Sequence, residues 1–236
     1  STYDGLCYYI PEVEGLLGHS VDSIHFDEAR FGYARFNPLY EGRFAMRDGA
    51  RDPAGPTVFA TQSTHKLLAA LSQASMIHIR NGRVPVVHSR FNEAFMMHSS
   101  TSPLYPIMAS LDVSSKMMEG AAGHVLTTES IEDAIRFRRT MGRIYREVCG
   151  HSGSTDWWFG IWQPDTVNDP ATKKTMPFHE APLGLLRDDP SCWVLHPGDW
   201  WHGFDGLPDG YCMLDPIKVT LLTPGVHEDG SLSRWG

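Results

Sequence analysis

The stretch that decides the fold is TVFATQSTHKLLAALSQAS, residues 57–75. Its first part, 57–61, combines β-branched and aromatic residues, which predicts a buried strand. Its last part, 67–74, is rich in leucine and alanine, which predicts a helix. The polar residues 63–66 (Ser-Thr-His-Lys) therefore stand between a strand and a helix, where α/β proteins commonly place chemically active side chains.

Lys66 is the sharpest candidate for chemistry in this stretch. A lysine in an apolar setting is costly to keep charged, so such surroundings are expected to favour its neutral, nucleophilic amine. A free amine is what Schiff-base chemistry with an aldehyde cofactor requires. Ser63, Thr64 and His65 offer hydrogen-bond donors for a phosphate. The local pattern also fits a lysine that merely extends from a helix start, beside a hydrogen-bonded core histidine.

Asp27 is the second candidate. The segment SIHFD, residues 23–27, reads as a short strand that ends on this carboxylate, and α/β sheets place ligands at the carboxyl ends of their strands. An ionised aspartate beside a pyridine nitrogen would keep that nitrogen protonated and make the ring an electron sink. A loop cap or a surface ion pair fits the same pattern. Glu28 is expected to be solvated, because side chains alternate along a strand.

Composition narrows the class of protein. The chain has 236 residues, of which 42% are hydrophobic and 20% charged, which excludes a disulfide miniprotein and disfavours global disorder. Lys and Arg number 20 against 28 Asp and Glu, a net charge of −8. This balance argues against nucleic acid and anionic lipid as partners, and it is weakly compatible with a cationic substrate.

Cysteine and histidine spacing does not indicate a metal site. The four cysteines are Cys7, Cys149, Cys192 and Cys212. They are scattered without a C-x-x-C pair, so we expect buried free thiols. His196 and His202 in HPGDWWHG lack a third ligand at a suitable spacing, which favours a structural role.

The first residues, STYDGLCYYI, lack the charged region and apolar core of a signal peptide. No run of sequence approaches the ~20 apolar residues of a membrane span. We therefore expect a cytoplasmic protein with no membrane partner. Because the chain opens without Met and directly in strand-like sequence, we also expect a piece of a longer protein.

The remaining pattern predicts an α/β part followed by a long helix and a more irregular, β-rich part. Strands are predicted over 5–10, 23–27, 76–79 and 218–222, helices over 90–98, 104–119 and 129–148, and a surface loop over 41–56. All seven tryptophans lie beyond residue 150. We place a subdomain boundary near residues 116–120.

Several segments together resemble one family. TQSTHKLLAALSQAS at 61–75 resembles the pyridoxal-phosphate attachment signature of the inducible bacterial ornithine/lysine/arginine decarboxylases. The likeness extends to HFDEA at 25–29, FGYARFNPLY at 31–40, FNEAFMMHSSTSPLYPIMAS at 91–110, HGFDG at 202–206 and LDPIKVTLLTPG at 214–225. It therefore covers essentially the whole chain.

The resemblance implies an α/β fold of the fold-type-I, pyridoxal-phosphate-dependent class, similar to aspartate aminotransferase. Residues 1–116 would be the C-terminal half of the large, cofactor-binding domain. Residues 117–236 would be a small α+β subdomain that stops before the family's C-terminal domain. Family members are several hundred residues longer, and their upstream part supplies the phosphate-binding loop. The 236-residue piece alone is therefore expected to bind the cofactor poorly and to be inactive.

The resemblance also implies roles for individual residues. Lys66 would hold pyridoxal 5′-phosphate covalently, and Asp27 would pair with the ring nitrogen of the cofactor. Ala29 would lie against one face of the ring. Ser63 and His65 would be phosphate-side and active-site neighbours of the lysine, and His65 would be catalytic together with Lys66 and Asp27.

The implied reaction is decarboxylation of arginine, lysine or ornithine to the corresponding amine and CO₂. Each turnover consumes a proton, which fits the family's role in acid resistance. Ser100 matches the position whose hydroxyl reaches the phosphate of the partner subunit's cofactor. The active site would then be shared across a homodimer, and some members stack such dimers into decamers.

One departure from the family pattern motivates an alternative. Arg30 stands where these enzymes usually carry an aromatic residue, close to Asp27. Together with the short length, this suggests a non-catalytic assembly or regulatory paralogue that keeps the fold and the dimer surface. The intact Asp27 and Lys66 pair weighs against that reading. Another fold-type-I activity, such as an aminotransferase, is disfavoured by the long match outside the lysine motif.

Overall fold

The computed structural model describes residues 1–49, 52–152, 160–196, 208–223, 225–226 and 232–233. The chain forms two compact units. Unit 1 comprises Ser1 and Tyr8–Thr127, and unit 2 comprises Thr2–Cys7 and Thr128–Gly236. Both contain helices and strands, so the mixed α/β class is confirmed. The domain boundary at residues 116–120 stays a prediction, because compactness within this chain does not define the domains of a longer protein.

The regular elements are short, apart from one helix. The helices are α1 (Ile10–Leu17), α2 (Thr64–Leu67), α3 (His88–His98), α4 (Tyr105–Met117), α5 (Ala121–Ser152) and α6 (Leu183–Asp188). The strands are β1 (Leu6–Tyr8), β2 (Ser23–Asp27), β3 (Thr57–Gln62), β4 (Met76–Arg80), β5 (Gly160–Ile161), β6 (Thr166–Asp169), β7 (Lys174–Pro177), β8 (Val194–Leu195), β9 (Cys212–Leu214), β10 (Leu221–Leu222), β11 (Gly225–Val226) and β12 (Leu232–Ser233). None of the described helices is long and apolar enough to cross a membrane.

Most predicted elements are confirmed, with shifted ends. The strand expected over residues 5–10 ends at Tyr8, because Pro11 sits in the first turn of α1, where proline favours a helix start. The helix expected over 129–148 is part of the longer α5. The strand expected over 218–222 is confirmed only as β10.

Unit 1 is built on a three-stranded sheet in the order β2-β3-β4. β2 and β3 are parallel, with Asp27 opposite Thr61, and β4 runs antiparallel to β3. Val58 and Ala60 of β3 form a small buried core with Ala45 from the segment that joins β2 to β3. The surface loop predicted over 41–56 is therefore wrong for residues 42–45, which are buried, because apolar contact packs this part of the segment on the sheet.

Aromatic rings order the same connecting segment. Phe31, Tyr33 and Tyr40 contact one another edge to face, with ring centroids 5.5–5.8 Å apart, a geometry that aromatic pairs favour. Gly42 has a φ of +76° and lies against Tyr9, where a Cβ atom would come within 2.3 Å of the ring. Only glycine fits both the backbone conformation and the space.

Unit 2 is organised around the buried side chain of Arg138 on α5. Its guanidinium donates hydrogen bonds to the backbone carbonyls of Trp162 at 2.8 Å and Lys218 at 2.6 Å. It also lies over the ring of Trp193, 5.4 Å from the ring centroid. Carbonyl dipoles and an aromatic face compensate the buried charge, so one side chain joins α5 to three separate segments of unit 2.

Replacing Arg138 with methionine should lower the free energy of unfolding of unit 2 by about 2–4 kcal/mol, because buried carbonyls lose their donors. Urea unfolding followed by tryptophan fluorescence measures the change. Arg136→Met is the matched control on the same helix, since Arg136 pairs with Glu132 and Asp133 at the surface and should cost no more than about 0.5 kcal/mol. Equal losses for the two variants would contradict this account.

The expected free thiols are confirmed for Cys7, Cys192 and Cys212, which are all buried. The side chain of Cys149 lies outside the described part of the chain. Burial raises the pKa of Cys7 well above its usual value, and the charge of Asp215 raises it further. Burial, helped by Asp189, raises the pKa of Cys192 to about 12.

Because the thiolate is the reactive form, Cys7 and Cys192 should be alkylated slowly in the folded protein. At pH 8, iodoacetamide should modify each at least about a hundredfold more slowly than in urea, and the rate should keep rising with pH beyond the pKa of a free thiol. Peptide mapping by mass spectrometry follows each site. Rapid labelling of either native thiol would show that it is not buried as described.

Candidate functional site

The carboxyl ends of β2 and β3 meet at one edge of the unit 1 sheet. The two strands are parallel and Asp27 lies opposite Thr61. Both strands therefore end side by side. β3 ends at Gln62 and is followed by Ser63 and then by α2, which carries Lys66. The structure thus brings Asp27 and residues 63–66 to one edge, as the sequence predicts.

Asp27 is exposed at this edge. Its Oδ1 atom accepts a hydrogen bond from the backbone N–H of Ala29 at 2.9 Å, a local arrangement typical of aspartate in turns. The loop cap considered for Asp27 is therefore present. It orients the carboxylate and leaves the side chain open to solvent. Ala29, whose N–H closes this turn, is half-buried.

Lys66 is exposed, so the expectation of an apolar setting for its amine is wrong for this structure. The reason is local, because α2 has only four residues and Thr64 takes the buried position at its start. The Thr64 hydroxyl is buried and has no hydrogen-bond partner in the described part of the chain. The backbone N–H of Lys66 donates to the carbonyl of Ser63 at 2.9 Å.

The helix predicted over residues 67–74 does not form, and the chain turns back after α2. Leu68 is extended and Gln73 has a φ of +76°. The carbonyl of Ala74 accepts hydrogen bonds from the backbone N–H of His65 at 3.1 Å and from its Nδ1 at 2.8 Å. Nδ1 must therefore carry a proton. His65 is half-buried and anchors the lysine-bearing turn.

Two further polar residues at this edge were not among the predicted site residues. His25 shares the exposed face of β2 with Asp27, and its Nε2 lies 2.7 Å from the Thr61 hydroxyl. The period of two along a strand is the signal that could have placed these two side chains on one face. Gln62, the last residue of β3, was missed because nothing in its sequence neighbourhood distinguishes it.

Glu28 is the clearest correction to the sequence prediction. Its side chain is 2% exposed, not solvated. One carboxylate oxygen accepts the backbone N–H of Ala45 at 2.5 Å, and the other accepts Nε2 of Gln62 at 3.0 Å. Alternation holds along β2, where His25 and Asp27 are exposed and Ile24 and Phe26 are half-buried, and buried Glu28 continues it. The prediction was wrong because it assigned the solvent-facing side of the strand to Glu28 instead of to Asp27.

The other predicted site residue, Ser100, is exposed in the loop after α3. Its hydroxyl donates to the carbonyl of Ser102 and accepts the N–H of the same residue. The structure therefore holds Ser100 in a local turn. Its expected contact with a partner subunit's cofactor stays a prediction, as do the roles of the residues at the sheet edge.

The described residues contain no group of three or more side chains that could hold a metal ion. His196 is exposed, with Nδ1 3.2 Å from Oδ1 of Asp209. His202 lies outside the described residues. The observed partner of His196 is therefore a surface aspartate, and its structural role stays a prediction.

Comparison with known proteins gives the family. A family profile described as "Orn/Lys/Arg decarboxylase, major domain" matches residues 1–236. The chain therefore belongs to the Orn/Lys/Arg decarboxylase family, which confirms the resemblance seen in the sequence.

Individual relatives agree with this assignment. The chain is 54% identical to the biodegradative arginine decarboxylase of Escherichia coli K12 and 48% identical to lysine decarboxylase LdcA of Pseudomonas aeruginosa. Both matches cover 100% of the chain, but only 31% and 29% of the relatives' own lengths. The chain thus spans about a third of the length of these proteins.

Solved structures show the same relationship in three dimensions. Lysine decarboxylase A from Pseudomonas aeruginosa matches with a TM-score of 0.79 and 47% identity, over 100% of this chain and 29% of that one. The constitutive lysine decarboxylase of E. coli matches with a TM-score of 0.73 and 42% identity, over 99% of this chain and 28% of that one.

Proposed function

We propose that the chain is the lysine-bearing part of a longer decarboxylase that uses pyridoxal 5′-phosphate and acts on a basic amino acid. The observation that carries the proposal is the meeting of Asp27 and the Lys66 turn at one sheet edge, within a chain that belongs to the Orn/Lys/Arg decarboxylase family. A parallel strand pair with ligand-binding residues at its carboxyl end also supports the fold-type-I assignment.

The residues at this edge fit the proposed cofactor. Covalent attachment of the cofactor aldehyde requires a primary amine. In the described part of the chain, the Nζ atom of Lys66 makes no hydrogen bond and no ion pair. A ring nitrogen that carries a proton needs an anion, and Asp27 presents an exposed carboxylate. Ser63 and the orphan hydroxyl of Thr64 add donors for a phosphate. When bound, pyridoxal 5′-phosphate supplies an acceptor for the electrons left behind by departing CO₂.

The chain's own residues then have distinct tasks. Lys66 provides the amine that holds the cofactor and can return a proton to the substrate carbon. Asp27 holds a proton on the ring nitrogen, and its bond from Ala29 fixes the direction of the carboxylate. His65 fixes the turn that carries Lys66 through its two bonds to Ala74. These tasks are orientation and electrostatics.

The substrate proposed is arginine, lysine or ornithine. Arginine is the first to test, because identity to the arginine decarboxylase of E. coli is 54% against 43% for its inducible lysine decarboxylase and 33% for its constitutive ornithine decarboxylase. The acidic composition, with a net charge of −8, is compatible with all three cations. The cytoplasmic location and a role in acid resistance stay predictions.

Covalent trapping tests the proposed attachment site. When the full-length protein that contains this chain is incubated with pyridoxal 5′-phosphate and reduced with borohydride, the phosphopyridoxyl group should be found on Lys66. Lys66→Ala should abolish this label and the release of CO₂ from arginine, lysine and ornithine. Lys174→Ala, which removes an exposed lysine of β7, is the control and should change neither.

Label on another lysine would overturn the role of Lys66. Correct labelling without CO₂ release from any of the three amino acids would support the non-catalytic paralogue instead. The two results separate cofactor binding from catalysis.

We also propose that the active site is shared across a homodimer. Ser100 is exposed, and the observed hydrogen bonds of its hydroxyl are local, to Ser102, so the side chain is accessible to a second copy. Full-length Lys66→Ala and Ser100→Ala proteins should each lose activity, and mixing them under conditions of subunit exchange should restore part of it, because one of the two sites becomes intact. No recovery, with exchange shown by native mass spectrometry, would contradict a shared site.

A further inference from the structure

We propose that Glu28 is a positioning residue: its buried carboxylate fixes the end of β2, and hence Asp27, relative to the end of β3, and hence Lys66. This inference rests on the proposed function for its catalytic meaning. The geometry that supports it is independent of that function.

Glu28 joins three segments of unit 1. It follows Asp27 directly in the chain, and its backbone N–H donates to the carbonyl of Thr61 at 2.9 Å, which continues the pairing of β2 with β3 past the end of β2. Its side chain reaches Gln62, the last residue of β3, and the backbone of Ala45 in the connecting segment. Both strand ends are thus held by a single residue.

A second side chain, Arg80, binds the segment that Glu28 holds. Arg80 of β4 donates to the carbonyls of Ala45 and Arg47, which places its guanidinium beside the segment that Glu28 holds. Burial lowers the pKa of Arg80, while the charges of Glu14 and, more weakly, Glu28 act in the opposite direction. Glu28 and Arg80 thus bind the two sides of one residue, since Glu28 accepts from the N–H of Ala45 and Arg80 donates to its carbonyl.

Gln62 has room to move if this bond is lost. Its side chain borders a cavity of about 580 Å³, whose lining includes Gly32, Phe44, Leu68 and His78. In the described part of the chain, the hydrogen-bond partner of the Gln62 side chain is Glu28. Without that bond, the Gln62 side chain is free to turn into the cavity, and we expect this change to loosen Ser63 and the Lys66 turn, which follow Gln62 directly in the chain.

The first experiment uses no cofactor. In full-length Glu28→Ala, hydrogen exchange of the peptide 61–68 should be about ten- to hundredfold faster than in the unaltered protein, because two hydrogen bonds to a charged group are lost. The protected amides include those of His65, Lys66 and Leu68. Competitive acylation should show a changed reactivity of the Lys66 amine.

The second experiment adds pyridoxal 5′-phosphate. Glu28→Ala should raise its dissociation constant about tenfold or more and should alter the pH dependence of the absorbance band of the bound cofactor. Glu28→Gln should bring the dissociation constant and the pH dependence of the band most of the way back to those of the unaltered protein. Its amide oxygen can accept from the N–H of Ala45, and its NH₂ group can donate to the side-chain oxygen of Gln62 once the Gln62 amide has turned by 180°.

Glu14→Ala is the matched control. Glu14 is also a largely buried carboxylate of unit 1, and it pairs at 2.8 Å with Arg47, which lies in the connecting segment and not at the end of β2 or β3. Its loss should destabilise unit 1 while leaving the exchange of peptide 61–68 and the cofactor spectrum unchanged. A second variant, Gln62→Leu, should reproduce the effects of Glu28→Ala, and the double variant should add little to either.

The outcomes are distinct. If Glu14→Ala and Glu28→Ala change local exchange and the spectrum equally, Glu28 is only a stabilising residue and the inference fails. If Glu28→Ala does not fold, Glu28→Gln and Gln62→Leu decide the matter through the same measurements. If the unaltered protein binds no pyridoxal 5′-phosphate at Lys66, the proposed function fails, and the cofactor-free exchange and acylation still decide the role of Glu28.

Discussion

A buried carboxylate must be given hydrogen-bond donors, and in unit 1 this requirement shapes the edge of the sheet. Glu28 obtains its donors from Ala45 and Gln62, so the connecting segment and the end of β3 must both reach the point where β2 ends. Parallel pairing of β2 with β3 brings the strand ends together, and Glu28 prevents them from separating. Asp27 precedes this buried residue directly, and the Lys66 turn follows its partner Gln62.

At this edge of the sheet, the residues that could bind a ligand differ from the residues that hold the fold together. Asp27 and Lys66 must stay accessible if they are to bind a ligand, so they contribute little to the burial that stabilises the fold. The restraint on their positions therefore comes from neighbours that are buried or half-buried: Glu28, Gln62 and His65. Unit 2 uses the same principle with the opposite charge, because Arg138 is buried among backbone carbonyls and joins separate segments.

Sequence patterns predicted the parts of this site that depend on residues close together in the chain. The strand that ends at Asp27 and the strand before Ser63 followed from β-branched and aromatic residues, and their shared edge followed from the α/β pattern. The helix over 67–74 was wrong, because helix propensity is a weak preference and the bonds of Ala74 to His65 prevail over it. Burial of Glu28 was missed because alternation does not say which face of a strand is buried, and the partner that identifies the buried face, Ala45, is 17 residues away.

The exposure of Lys66 could not be predicted from sequence either, because Thr64 and Lys66 compete for one buried position at the start of α2.

The most direct test of the whole account is a crystal structure of the full-length protein with pyridoxal 5′-phosphate. We expect continuous electron density from the Nζ atom of Lys66 to the cofactor, the Asp27 carboxylate within hydrogen-bond distance of the ring nitrogen, and Glu28 bonded to Gln62. A cofactor attached to another lysine, or a ring nitrogen remote from Asp27, would contradict it.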